Sequence, residues 1–305
     1  MSSSLKALRR LDYSPVPWTA THIDLDFNIR SNTTRVTSTS QFTRNVAQQP
    51  TDGPVVLNRG NDVTLVSIHL DNSPIEYTLD DKNLSFTVPP GATANGKFTL
   101  TVVTDIVPEK NTHLEGLYYS SSTYTTQCEA EGFRSITFWP DRPDVMAKWR
   151  VRVEADEATC PVLLSNGNMV ASGPAGEGRH FAVYEDPWAK PSYLFALVAG
   201  NLTKTEDSFT TASGKKVALR IFTEARDADK VGWAMESLKK SMRWDETKFG
   251  LEYDLDLFNI VAISSFNMGA MENKSLNIFN SRLVLASSKT ASDLDFNRIE
   301  GVIGK

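Results

Sequence analysis

Between Thr19 and about Asn201 apolar and polar residues alternate, and that period decides most of what this chain can become. "IDLDFNI" (Ile23 to Ile29) alternates without a break, "VTLVSIHL" does so in part, and "KFTLTVVTDI" reads as a further strand. A period of two puts every second side chain on one face, which suits a half-buried strand and cannot form the apolar stripe of a helix. Turn signals interrupt the pattern often: "TDGP" from Thr51, "NRGND" from Asn58, "PPGATANG" from Pro89 and "SNGN" from Ser165. Asn166-Gly167, flanked by "VLL" and "MVA", is the residue pair of a tight hairpin. These features predict a β-domain of sandwich or saddle type with both sheets antiparallel.

The period changes near Gly200. "VALRIFTEA" (Val217 to Ala225) still reads as a strand, but Val231, Met235, Leu238 and Met242 then recur at helical spacing. They predict a helix from Asp229 to about Phe249 with one buried stripe, stopped by Gly250. "LFNIVAIS" (Leu257 to Ser264) has the length of a buried strand, and "SLNIFN" and "RLVLA" predict two more. "SDLDFNRIEGVIGK" begins as a helix, with Ser292 as cap, Asp295 completing a capping box, and Leu294, Ile299 and Ile303 on one face. No internal repeat or low-complexity linker is present. The chain therefore reads as mainly β with an α+β second part, divided into 1–201 and 202–305 at a tight junction.

A length of 305 residues accommodates about two domains, each with its own core. Thirty-seven acidic against thirty-two basic residues give a net charge of −5, and no basic block interrupts that balance, so no nucleic-acid footprint is present. The longest apolar runs, such as "LFALVAG" from Leu194, fall far short of a membrane span. "MSSSLKALRRLDYSP" has no apolar stretch of signal-peptide length. Cys128 and Cys160 cannot form a disulfide framework for a chain of this size, which implies reduced thiols and a cytoplasmic setting.

Catalytic signatures are few. His22, His69, His113 and His180 are well separated in sequence, and neither cysteine belongs to a Cys-x-x-Cys pair, so no zinc site is legible. Phosphate-binding loops and a Gly-x-Ser-x-Gly elbow are missing as well. Carboxylates remain. In "QCEAEGFRS", an extended backbone would put Gln127, Glu129 and Glu131 on one side. The other candidate is Glu272 in "NMGAMENKS".

"FNMGAMENKSLNIFN" resembles the Gly-x-Met-Glu-Asn exopeptidase motif of the aminopeptidase N family of zinc metallopeptidases. "QCEAEGFRSITFWPDRPDVMAKW", "LLSNGNMV", "KPSYLFALVAGNL" and "WDETKFGLEYDLDLFNIVA" resemble other segments of that family in the same order, most closely the bacterial-type alanyl aminopeptidases. The resemblance covers nearly the whole chain. It implies an N-terminal saddle-like β-domain followed by the first, sheet-containing part of a thermolysin-like catalytic domain. It also implies that Glu272 and Glu129 hold the free α-ammonium of a peptide substrate, assisted by Gln127. Gly269 and Ala270 match the stretch against which the peptide lies as an added strand, Met268 matches the cushion of the first side-chain pocket, and Met271 and Asn273 complete the motif.

In the family, His-Glu-x-x-His directly follows a segment similar to "IEGVIG" and supplies two zinc ligands and the general base. Here Lys305 stands at the first histidine position, and an ammonium opposes a divalent cation. The implied expectation is an N-terminal fragment of a zinc aminopeptidase that holds no zinc alone and is inactive unless a missing C-terminal part completes it. The alternative is a non-catalytic, truncated paralogue that binds peptide N-termini or a partner protein. A further expectation is that "LFNIVAIS" and "RLVLA" expose apolar surface to solvent, leaving the second part the less stable.

Overall fold

The computed structural model describes residues 9–45, 53–89 and 96–304. Lys305 and most of the predicted "PPGATANG" turn lie outside the described residues, as do Thr51 and Asp52 of the "TDGP" turn.

The first part runs through β1 (Trp18–Arg30), β2 (Thr33–Arg44), β3 (Val55–Asn58), β4 (Thr64–Leu70), β5 (Ser73–Pro74), β6 (Thr78–Leu79), β7 (Asn83–Phe86) and β8 (Lys97–Ile106). It continues through β9 (Gly116–Ser120), β10 (Thr123–Gln127), β11 (Ala147–Asp156), β12 (Val162–Ser165), β13 (Asn168–Gly176), β14 (Arg179–Lys190) and β15 (Leu197–Gly200). Three sheets result, where the sequence predicted two: an eight-stranded one in the order β13-β14-β11-β1-β2-β8-β4-β5, a four-stranded one (β12-β15-β10-β9) and a three-stranded one (β3-β7-β6). All three enclose one core. The alternation in β1 does what its period requires, burying Ile23, Leu25, Phe27 and Ile29 on one face.

Two further expectations fail in this part. The large sheet is mixed, because β1 and β11 pair in parallel while the other pairs in it are antiparallel. Asn166-Gly167 does not close a hairpin: β12 pairs with β15 in the small sheet, whereas β13 pairs with β14 in the large one. The dipeptide is a crossing between sheets, and its local chemistry could not distinguish the two uses.

The second part contains β16 (Thr203–Thr210), β17 (Lys216–Thr223), α1 (Gly232–Phe249), β18 (Leu257–Ile263), β19 (Ala270–Met271), β20 (Leu276–Asn280) and α2 (Asp293–Ile303). Its sheet has the order β16-β17-β18-β20-β19, with β17, β18 and β20 parallel. A 3-10 turn (Ala225–Lys230) leads into α1, which starts later than predicted and ends at Gly250 in the left-handed conformation, φ 66°. The α2 capping box forms as read, but Leu294 is exposed and Ile299 takes the buried position.

The apolar run of β18 is covered on both faces. Ile260 and Ala262 pack with Ala234, Met235, Leu238 and Met242 of α1 and with Ile299 of α2. Val261 and Ile263 pack instead on Leu164, Ala196 and Val198 of the first part, with Leu202 at the junction. A doubly covered parallel strand is continuously apolar, which is why "LFNIVAIS" lacks alternation. The expectation that it faces solvent is therefore overturned. "RLVLA" is not a strand either: it passes from a 3-10 turn (Ser281–Leu283) into a loop, and Val284 is fully buried.

Candidate amine-binding site

The exopeptidase-like segment lies at an open sheet edge. After β18 the chain loops through Ser264–Gly269, held by the Asn280 backbone N–H donating to the Gly269 carbonyl at 2.9 Å and by the Asn280 amide donating to the Phe266 carbonyl at 3.2 Å. It then forms β19, which pairs antiparallel with β20 and ends the sheet. An edge strand leaves one row of backbone groups open to a further strand. Side chains alternate here: Met271 is fully buried in the core shared by the two parts, Glu272 is exposed, and Asn273 is buried, its amide donating to the Met271 carbonyl at 3.5 Å. The Met271 and Asn273 side chains are thus spent on packing. Gly269 is exposed, Ala270 is partly exposed, and Met268 is 39% exposed beside them.

The other segment starts at the end of β10. Gln127 is buried between β9 and the turn that follows, and its amide donates to the Glu129 carbonyl at 3.2 Å. The chain is not extended here. Gly132 N–H bonds back to the Cys128 carbonyl at 2.8 Å, and a Cβ on Gly132 would lie 2.5 Å from the Gln127 carbonyl oxygen. A side chain at 132 would force this turn open. The extended backbone on which Glu129 and Glu131 were expected to share a side is therefore absent. Glu131 pairs with Arg134 at 3.2 Å, Arg134 reaches Asp141 at 3.2 Å, and the buried Asp141 also accepts from Ser192 at 2.5 Å. Burial pushes the Asp141 carboxyl pKa up, while bonds from Ser192 and Arg134 pull against that shift. This network anchors the turn bearing Glu129, and nothing in the local sequence announces it.

The hairpin of β9 and β10, which leads into the Glu129 turn, touches the loop that leads into β19. Tyr118 on β9 donates to the Ser265 carbonyl at 3.3 Å, and Ser121 and Ser264 share a hydrogen bond of the same length. Among the described residues neither Glu129 nor Glu272 has a hydrogen-bonding or ionic side-chain partner. Cations next to them in sequence are engaged elsewhere: Lys274 with Asp254 at 2.7 Å, and Arg134 with Glu131 and Asp141. Two exposed carboxylates, one from each part, are thus without a cationic partner among the described residues.

A zinc ion does not fit this donor set. Among the described residues no three His, Cys, Asp or Glu side chains converge. His180 is occupied by the Cys160 carbonyl at 2.7 Å, and His22 faces Asp24.

Comparison with known proteins decides the family. The Peptidase M1 N-terminal domain matches residues 19–194, and the Peptidase family M1 domain matches residues 233–305. The chain belongs to peptidase family M1. It consists of an M1 N-terminal domain and the beginning of an M1 catalytic domain. It is 49% identical over 301 residues to aminopeptidase N of Caulobacter vibrioides and 48% identical over 305 residues to that of Escherichia coli, covering 98% and 100% of this chain. In each case it spans only 34% of the relative's length. The crystal structure of Legionella pneumophila aminopeptidase A in complex with aspartic acid superposes with a TM-score of 0.90 at 30% identity, over 96% of this chain and 34% of that one.

Proposed function

We propose that this M1 chain supplies the amine-anchoring part of a zinc aminopeptidase that removes single N-terminal residues from peptides. The observation that supports this reading is the pair of exposed carboxylates without partners among the described residues, Glu272 directly after the edge strand β19 and Glu129 in the turn after β10. A peptide α-ammonium has a pKa of about 7.7–8 and is largely cationic near neutrality. Two carboxylates gain from binding it, since the cation relieves their mutual repulsion and donates charge-assisted bonds to both. A peptide laid antiparallel or parallel on Gly269 and Ala270 is then fixed in register, with Met268 under its first side chain and Gln127 holding the Glu129 turn. Unbranched Met268 adapts to several side-chain shapes.

Peptides with a free N-terminus are the substrate class, with zinc as the cofactor of the complete site. The described residues hold no such donor set, so this chain alone anchors peptides without hydrolysing them, and a complementary chain segment is its partner. The free, buried thiols of Cys128 and Cys160 support a reducing, cytoplasmic setting. A domain boundary at 201/202 is supported by β15 ending at Gly200 and β16 opening a new sheet at Thr203.

Glu272→Gln and Glu129→Gln test the anchor. Each should weaken binding of Ala-Ala-Ala amide about tenfold, the worth of a charge-assisted bond, and leave its N-acetylated form unaffected. Unchanged affinity for the free peptide in both variants overturns the reading.

A further inference from the structure

The sheet-crossing dipeptide misread as a hairpin has contacts that reach beyond its own domain. Asn166 is buried, and its side chain makes three hydrogen bonds. Its amide donates to the carbonyls of Leu194 at 3.0 Å and Lys274 at 2.8 Å, and its oxygen accepts from the Ala196 N–H at 2.7 Å. The next residue, Gly167, donates its N–H to the Ser275 hydroxyl at 2.6 Å. Asn168 then exchanges two bonds with Asp256, accepting from its N–H at 3.0 Å and donating to its carboxylate at 3.1 Å. Three consecutive residues of the first part thus each bond to the second.

Their targets matter. Lys274 and Ser275 are the second and third residues after Glu272. Ser275 sits at φ 62° in a turn closed by Leu276 N–H to the Asn273 carbonyl at 3.0 Å, and its own carbonyl accepts from Asn259 of β18 at 2.8 Å. The turn that carries Glu272 out of the sheet edge is gripped by Asn166 and Gly167 on one side and by β18 on the other. Gly167 is itself pressed flat on β14: at φ 92° a Cβ would lie 2.1 Å from the Glu185 carbonyl oxygen. The grip is therefore backed by the eight-stranded sheet. The Glu129 turn is tied to the same domain through Arg134 and Asp141, whose backbone N–H donates to Asn58 at the end of β3 in the three-stranded sheet.

We infer that Asn166 and Gly167 are positioning residues for Glu272, setting it relative to Glu129 by clamping the Lys274–Ser275 turn to the first domain. This rests on the amine-anchor reading above. Neither residue touches the substrate. Each acts on the main chain that holds the carboxylate, and a small displacement of such a group costs binding and orientation disproportionately.

A double-mutant cycle separates this role from simple stabilisation. Asn166→Asp keeps the acceptor for Ala196 N–H but loses both donors and faces the Leu194 and Lys274 carbonyls with a negative charge. The quantity read is the ratio of affinities for Ala-Ala-Ala amide and its N-acetylated form, measured by calorimetry on the 305-residue chain. Asn166→Asp should lower that ratio about fivefold to tenfold in the wild-type background and leave it unaltered when Glu272 is already Gln. An unaltered ratio in the wild-type background overturns the inference, and so does an equal fall in both backgrounds. If Glu272→Gln itself leaves the ratio unchanged, the anchor reading fails and takes this inference with it, an outcome distinct from the other two. Ser275→Ala removes only the acceptor of the Gly167 N–H. It should give the same pattern at smaller amplitude, and it replaces Asn166→Asp if that variant does not fold.

Discussion

Lys190 and Asp186 illustrate how much can depend on one residue pair that carries no motif. Both side chains are buried on β14, with Lys190 Nζ 3.1 Å from Asp186 Oδ2. The ammonium also lies over the Trp149 ring at 4.8 Å. Burial pushes the Lys190 pKa down to about 8 from lysine's ordinary value, against the pull of Asp186, with Lys274 adding to the depression. A base whose folded pKa is depressed destabilises the fold below that value, and the penalty fades as pH rises towards the unfolded value. Wild type should gain stability relative to Lys190→Met between about pH 8 and 10.5; the comparison cancels the opposing titration of the buried Cys128 thiol, whose pKa burial raises. Paired denaturation curves across this range check it, and a flat difference contradicts it. At neutral pH, Lys190→Met should cost about 3–5 kcal/mol by leaving Asp186 without its cation. Gly167→Ala should cost at least about 2 kcal/mol, since it combines a left-handed φ with a backbone collision, and a smaller loss in urea denaturation would contradict that geometry.

At the scale of elements, local signals were legible where one residue type has one use. The α2 cap is an example: Ser292 and Asp295 bond reciprocally as their spacing predicts. Ser292→Ala should therefore cost about 1 kcal/mol in thermal or urea unfolding, and no loss would mean that the cap is not stabilising. Gly250 likewise stops α1 where expected. Signals with two uses were misread. Asn166-Gly167 serves a crossing between sheets as well as it would serve a hairpin, and strand pairing, which decides between them, is a long-range property. "RLVLA" buries Val284 without joining a sheet, because burial and strand formation both favour apolar residues. The parallel pairing of β1 with β11 is similarly invisible in the alternation of either strand.

On the scale of the whole molecule, the two parts share a core. Leu164, Ala196 and Val198 of the first pack with Leu202, Phe222, Val261, Ile263, Phe266, Met271, Leu276 and Ile278 of the second. Ile278→Ala should therefore lower stability by about 2–5 kcal/mol and expose both parts to protease at the same urea concentration. Cleavage confined to residues 202–305 at lower urea would contradict that coupling. The site follows the same logic. Glu272 was legible only because its motif resembles a known one; what holds it (Asn166) and what holds the Glu129 turn (the Glu131–Arg134–Asp141 network) lie far apart in sequence and have no local signature. The central claim is that Glu129 and Glu272 together bind a peptide's α-ammonium, and the pH dependence of peptide affinity tests it most directly. Calorimetric titration of the chain with Ala-Ala-Ala amide between about pH 6 and 9.5 should show affinity falling up to tenfold per unit above the amine pKa of about 8, while the N-acetylated peptide binds weakly at every pH. Equal affinities for the two peptides, or a free-peptide affinity that does not change through pH 8, would contradict the account.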